Sequence, residues 1–136
     1  MSSFKVFDIA GSGLSAQSVR LNTVASNLAN ADSVSGNPQG VYRARHPVFK
    51  AILPTSGDNA SAGVSVAGIA ESRAAPETRY DPGNPLADAQ GYVYAPSVNV
   101  VEEMTDMISA SRSYQNNVEV LSTTRDLMLA TLKLGQ

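Results

Sequence analysis

The side chains able to do chemistry are few and scattered in this chain of 136 residues. His46 is the single histidine, and it is followed by Pro47 in a stretch with strand-like alternation. A general base needs oriented partners, and no nearby motif supplies them. We therefore interpret His46 as a surface or half-buried strand residue. The absence of cysteine excludes disulfides, thiolate metal ligands and cysteine nucleophiles.

Two further groups have the composition of functional motifs but not their spacing. The glycine-rich run GSGLS at residues 11–15 matches neither the nucleophile elbow nor the P-loop, and it follows no predicted strand. Glu102 and Glu103 are adjacent, so their side chains point apart on a helix, and no metal-ligand set is completed around them. We expect no catalytic, metal or cofactor-binding site, no cofactor, and no enzyme activity.

The overall composition excludes several classes of partner. The net charge is -2 and the basic residues are scattered, which gives no electrostatic footprint for nucleic acid. Because Asp8 interrupts the apolar part of the segment MSSFKVFDIAGSG, we do not expect it to act as a Sec signal peptide. No apolar run in the sequence reaches the roughly 18 residues that a membrane span needs. The apolar residues are largely Ala and Val with no Trp, so we expect a thin core with extra burial against neighbouring chains.

The chain divides into three regions: 1–30 and 99–136 with helical periodicity, and 31–98 rich in Gly, Pro, Asn and Ser. In the first region apolar residues recur at alternating steps of three and four, the pattern of a coiled-coil seam. Its members are Phe7, Ala10, Leu14, Gln17, Leu21, Val24 and Leu28. Gly11 and Gly13 each weaken this helix by about 1 kcal/mol relative to Ala. We predict that it is disordered in the free chain and ordered by packing.

The last region keeps the same alternation over about five heptads, and it predicts a long helix with an antiparallel partner in the first region. Its seam is Val100, Met104, Met107, Ser111, Tyr114, Val118, Leu121, Arg125, Met128 and Leu132. Asn99 with Glu102 predicts the helix start, and Lys133 lies in the last turn. The methionines fit core or interface packing. Arg125 fits a side chain reaching the rim of the seam, with an ion pair across subunits as the alternative.

The middle region has two strand patterns and a proline-rich segment. Residues 41–53 predict a strand broken by Pro47, and residues 63–72 predict a second strand with a bulge at Gly68, so the two could form a hairpin. Residues 55–63 have the composition of a turn or loop. Residues 80–96 predict an extended arm with a short strand at residues 92–94 and few contacts to hold it. The fold class is therefore α+β: an antiparallel coiled-coil hairpin of terminal helices with a small irregular β-rich middle.

Two segments resemble a known family. ASNLANADS at residues 25–33 is similar to the ANNLANxxT signature of the axial proteins of the bacterial flagellar rod and hook, with Ser33 in place of the commoner threonine. Residues 80–135 resemble the proximal rod proteins of the flagellar basal body almost segment by segment. In those proteins an arm of the form DPxxPxA...GYV leads into PNVNxVEEMxxMIxAxRxYxxNV. Ser97 stands where that pattern has asparagine.

The resemblance implies a structural subunit that polymerises helically through its terminal helices, transmits torque and lines the export channel. It implies a position in the periplasm-spanning rod and export by the flagellar type III apparatus without a cleaved signal peptide. The implied partners are further copies of the chain, other rod proteins and the membrane-ring adapter. The implied assembly interface is Leu14, Leu21, Val24, Asn27, Leu28, Asn30, Met104, Met107, Tyr114, Val118, Leu121, Met128 and Leu132. Two alternatives stay open: an enzyme that remodels peptidoglycan around the rod, and a distal rod or hook protein.

Overall fold

Two long helices form the ends of the described chain, and two β-hairpins separate them. The computed structural model describes residues 3–53 and 62–134. Helix α1 spans Ser3–Asn30 and helix α2 spans Val100–Leu134. The four strands are β1 (Arg45–Ile52), β2 (Gly63–Glu71), β3 (Glu77–Tyr80) and β4 (Tyr92–Ala95), and a short 3₁₀ helix covers Pro38–Gly40. The predicted α+β class, with terminal helices around a small β-rich middle, is confirmed.

Helix α1 is continuous through both of its interior glycines. The seam predicted for it is at least half-buried along its whole length, and Ala10 and Val24 are buried. In its last turn the Asn30 side chain donates a hydrogen bond from Nδ2 to the carbonyl of Ser26 (2.8 Å), one turn back along the helix.

Helix α2 begins where the capping pattern predicts. The Asn99 side chain accepts hydrogen bonds through Oδ1 from the amides of Val101 (3.1 Å) and Glu102 (3.3 Å). Glu102 and Glu103 lie in the first turn and Lys133 in the last, so the charges oppose the helix macrodipole at both ends. With 35 residues the helix is about 52 Å long.

The two helices pack antiparallel. Residues further along α2 contact residues closer to the start of α1. Asn27 bonds Glu103, Arg20 pairs with Asp106 (2.7 Å), and Gly13 lies against Asn117. In this register the last turns of α2 project beyond the start of α1, and Leu134 is 88% exposed. The antiparallel helix pair matches the predicted hairpin, whereas its supercoiling stays a prediction.

The first hairpin has the predicted pairing. β1 pairs antiparallel with β2, and the register shifts opposite Ala67 and Gly68, where the sequence predicts a bulge. The prediction that Pro47 breaks the strand is wrong, since Pro47 pairs with Ile69 inside β1. β1 has one strand neighbour in the part of the chain described, so a residue without an N–H is tolerated there. Most of the predicted loop at residues 55–63 lies outside the described residues.

The second hairpin corrects the prediction of a loosely held, extended arm. Residues 77–80 form a strand that the sequence analysis missed, and it pairs antiparallel with β4. Between them the chain turns at Gly91 (φ 83°), and the rings of Tyr80 and Tyr92 meet edge to face at 5.2 Å. The free edge of β4 bonds the segment after α1, where Ser35 and Tyr94 exchange backbone hydrogen bonds of 2.9 and 2.8 Å.

Asp88 organises the loop of this second hairpin. Its Oδ1 accepts hydrogen bonds from the amides of Tyr92 (2.9 Å) and Gln90 (2.8 Å), and Oδ2 accepts one from the Tyr94 hydroxyl (3.4 Å). The hydrogen bond from the Tyr92 amide is the main cause that lowers the pKa of Asp88 from its ordinary 3.8, and the slight burial of the carboxyl opposes it. The charged carboxylate therefore holds the turn.

This arrangement predicts loosening of the loop in acid. Because the pKa of Asp88 is lowered in the folded chain, its charged carboxylate stabilises the loop fully above pH 3.8. This stabilisation is lost as the pH falls through the lowered pKa. In an NMR pH titration we expect the Gln90 and Tyr92 amide resonances to move together below pH 3.8, and to stop responding in Asp88→Asn. A titration of these amides centred above pH 3.8 would contradict the assignment.

The described core is small, as the composition predicts. Its buried apolar residues are Ala10, Ala16, Val24, Val41, Ala44, Val93 and Ala110. The accessible surface is 9035 Å² for a chain of 14.2 kDa, against about 6,800 Å² expected for a compact monomer of that mass. Within residues 3–53 and 62–134 no helix is long and apolar enough to cross a membrane.

Candidate assembly interface

The side chain of Asn27 is the point where three parts of the chain meet. It is fully buried, with 0% of its surface exposed. Its Nδ2 donates to the Arg45 carbonyl (2.9 Å) and to Glu103 Oε1 (3.0 Å), and its Oδ1 accepts from the Arg45 amide (2.8 Å) and the Tyr42 hydroxyl (2.8 Å). All four hydrogen-bonding positions of the amide are therefore used. One side chain joins α1 to α2 and to the start of β1.

Several contacts extend this junction. The Tyr42 hydroxyl lies 3.0 Å from Ser26 Oγ, and the Arg45 guanidinium stacks over the Tyr42 ring at 5.8 Å and pairs with Glu71 (3.3 Å). Glu103 is 4% exposed, and its Oε2 is buried without a hydrogen-bond partner. The carboxylate therefore depends on Asn27, because a buried charge that loses its bonded partner is costly.

The predicted interface residues of α1 lie on the side that packs inside the chain. Val24 and Asn27 are buried, while Leu14, Leu21, Leu28 and Asn30 are half-buried. The first hairpin covers part of the same helix, since Ser12 Oγ accepts a hydrogen bond from the Val64 amide (3.1 Å) and donates one to the Ile9 carbonyl (2.7 Å). The GSGLS run is thus helical and supports β2.

The single seam predicted for α2 divides between two faces. Met107, Leu121 and Met128 are half-buried. These three residues alternate along α2 with Glu103, Ala110 and Asn117. Glu103 and Asn117 contact α1, and Ala110 is fully buried. The other predicted interface residues on this helix, Met104, Tyr114, Val118 and Leu132, are exposed. Of the remaining seam residues, Val100 and Arg125 are exposed and Ser111 is half-buried.

Met104, Val118 and Leu132 share one heptad register with further exposed apolar residues, while polar residues occupy the other positions of this register between residues 108 and 129. We call the exposed apolar residues of this register the outer stripe: Val101, Met104, Ile108, Val118, Leu129 and Leu132. Met104 and Ile108 are 53% and 55% exposed. The outer stripe lies about a quarter turn round the helix from the face that contacts α1. The sequence analysis missed Val101, Ile108 and Leu129, although the same heptad spacing, shifted by one residue, marks them.

The residues first considered for chemistry do not converge. His46 is exposed in β1, and Arg125 pairs with its exposed neighbour Asp126 (3.0 Å) on the surface of α2. Among the described residues no group of three or more acidic or histidine side chains is placed to hold a metal ion.

Comparison with known proteins identifies the family. Residues 7–36 match the model of the flagella basal body rod protein family, and residues 89–134 match the model of the C-terminal part of flagellar basal body rod FlgEFG proteins. These two matches cover most of α1 and all of α2.

Relatives that align with the chain from end to end share one name. The flagellar basal-body rod protein FlgC of Salmonella typhimurium is 55% identical over 136 residues, and that of Escherichia coli O6:H1 is 56% identical. The protein of that name from Buchnera aphidicola subsp. Acyrthosiphon pisum is 40% identical over 138 residues. In each case the alignment covers 100% of both chains. The chain belongs to the FlgC family of flagellar basal-body rod proteins, and it is a structural rod subunit of the basal body.

Proposed function

We propose that this chain is a subunit of the proximal rod that polymerises helically through α1 and α2, transmits torque and lines the export channel. It reaches the periplasm-spanning rod through the flagellar type III apparatus, without a cleaved signal peptide. Its partners there are further copies of itself, other rod proteins and the membrane-ring adapter. The family has a structural role, and the scattered chemistry of the described residues offers no support for the alternative of a peptidoglycan-remodelling enzyme.

The outer stripe is the observation that carries this proposal. Six exposed apolar residues share two heptad positions of a helix whose other seam is occupied by α1, and they lie in two groups near the ends of the helix with Val118 between them. The accessible surface exceeds that of a compact monomer of the same mass by about 2,200 Å², whereas each partner in a standard protein interface buries roughly 800 Å². A helical polymer repeats one pair of patches without closure, so a modest apolar surface in each subunit is sufficient.

The thirteen predicted interface residues then take two roles. Those on α1, together with Met107, Leu121 and Met128, form the helix pair within one chain. Met104, Val118 and Leu132 contact neighbouring chains as part of the outer stripe. Tyr114, which is 38% exposed, shares the heptad position of Met107 and Leu121.

The proposal is tested by deletion and complementation. A strain that lacks the chain is expected to be non-motile, and electron microscopy of its basal bodies is expected to show a membrane ring without a rod. The wild-type chain supplied from a plasmid restores both. Normal swimming in the deletion strain, or a complete rod without the chain, would refute a structural role in the rod.

A further inference from the structure

Gly13 leaves space on α1 that the side chain of Asn117 occupies. A Cβ atom at residue 13 would lie 2.9 Å from Asn117 Nδ2, which is closer than real Cβ atoms come to a neighbour, and a tight 3.2 Å from its Cγ. The Asn117 amide is held in this position, since Nδ2 donates a hydrogen bond to the Ser113 carbonyl (3.0 Å). Gly11 differs, because a Cβ there would meet no described atom within 4 Å.

The Asn27–Glu103 hydrogen bond is a second specific contact between the two helices, two heptads away from the first. Fourteen residues separate Gly13 from Asn27 on α1, and fourteen separate Glu103 from Asn117 on α2. Ala110 lies midway and is fully buried, so a small residue fills the layer between the two polar contacts. Both contacts therefore belong to one register of the antiparallel pair.

Registers displaced by one heptad lose both contacts. Displacement in one direction places Asn117 opposite Arg20 and Asn27 opposite Ala110. Displacement in the other places Asn117 opposite Val6 and leaves Asn27 beyond the start of α2 at Val100. Either displacement places a side chain opposite Asn117, where the close contact requires a glycine. Either displacement also separates the buried Asn27 amide from Glu103, so both groups lose their hydrogen bond.

We propose that the Gly13 space filled by Asn117, together with the Asn27–Glu103 bond, fixes the single register in which α1 and α2 of one chain pair in the assembled rod. Gly13 and Asn117 are thereby specificity-determining residues of the subunit. The inference rests on the proposed function, because it concerns the chain within the rod. Apolar seams tolerate displacement by whole heptads, so apolar residues alone do not select one register. The inference assigns that selection to the two specific contacts.

Cysteine crosslinking tests the register in a chain that has no cysteine of its own. The Cβ atoms of residues 13 and 117 lie at most about 4.7 Å apart, near the range that disulfides span. Asn117→Cys is combined with Gly13→Cys, and in matched controls with Val6→Cys or Arg20→Cys, which report the two displaced registers. Basal bodies purified from complemented strains are oxidised and run on a non-reducing gel.

We expect the pair at 13 and 117 to crosslink within one chain, at the mass of the monomer, and the two control pairs to stay uncrosslinked. Crosslinking of a control pair, crosslinking of 13 to 117 only between chains, or no crosslink in variants that enter basal bodies would overturn the proposal. Those outcomes leave the rod assignment intact. Absence of the wild-type chain itself from basal bodies would instead sink the proposed function.

A size exchange gives an independent readout in cells. Because its methyl group displaces the Asn117 amide, Gly13→Ala is expected to reduce swimming, even though alanine favours the helix itself by about 1 kcal/mol. The added Asn117→Ala is expected to restore swimming by emptying the space around the new methyl group. Gly11→Ala, an identical change two residues away, is expected to swim like the wild type. Normal swimming of Gly13→Ala alone, or failure of Asn117→Ala to restore it, would contradict the role assigned to this pair.

Discussion

Replacing Asn27 with alanine is expected to abolish swimming and to remove the chain from purified basal bodies. The substitution leaves the amide and carbonyl of Arg45, the Tyr42 hydroxyl and the Glu103 carboxylate without their buried partner. The Tyr42 hydroxyl keeps Ser26 as a partner, and each of the other three groups costs about 1 to 3 kcal/mol when it loses its partner, so we expect a total of roughly 3 to 9 kcal/mol. At about 1.4 kcal/mol per factor of ten, the correctly paired state becomes at least about a hundredfold rarer.

The matched control is Asn22→Ala, the same change at an exposed position of the same helix. It removes no hydrogen bond of the junction, and we expect normal swimming and normal incorporation. Immunoblots of whole cells and of basal bodies separate failed assembly from degradation. If Asn27→Ala entered basal bodies at the level of the control, the junction would have no part in the assembled subunit.

Placing charge on the outer stripe is expected to block assembly while the chain itself is unchanged. Met104→Glu with Ile108→Glu puts two carboxylates at positions whose side chains are more than half exposed in the single chain, so little internal packing is lost. In the rod the same carboxylates would be buried against a neighbouring chain, and burying an unpaired charge costs several kcal/mol each. We expect loss of swimming and absence of the variant from basal bodies.

The control for the outer stripe is Ser109→Glu, which adds a carboxylate at an exposed position next to the stripe. The circular dichroism spectra of the free wild-type chain and of both variants are expected to coincide. A double variant that assembled and swam normally would show that the outer stripe faces solvent in the rod.

Much of the fold was predictable because its signals are local. Asn99 and the acidic first turn mark the start of α2, and the alternation around Gly68 marks β2 with its bulge. The strand β3 was missed because ETRY is short, polar and entirely exposed, so it has no hydrophobic pattern of its own. Its pairing with β4 comes from the turn, where Asp88 and Gly91 hold a loop that the proline content made look extended.

The phase of the α2 seam was less predictable, for a physical reason. A search for apolar residues at heptad spacing selects Met, Val and Leu wherever they fall. It therefore combines Met107 and Leu121, which face α1, with Met104 and Val118, which are exposed. The true contact face includes Glu103 and Asn117, whose polarity hides them from such a search. Their place is determined by partners distant in sequence, Asn27 and Gly13, so it becomes visible only when the helices are paired.

Hydrogen exchange on the free chain and on purified basal bodies tests most directly whether the helix pair gains its stability from neighbouring copies. The small core and the interior glycines of α1 predict that amides of α1 and α2 exchange rapidly in the free chain. In basal bodies we expect strong protection of the same amides. Equal, strong protection of both helices in the free chain would contradict the account, since the subunit would then be complete before it assembles.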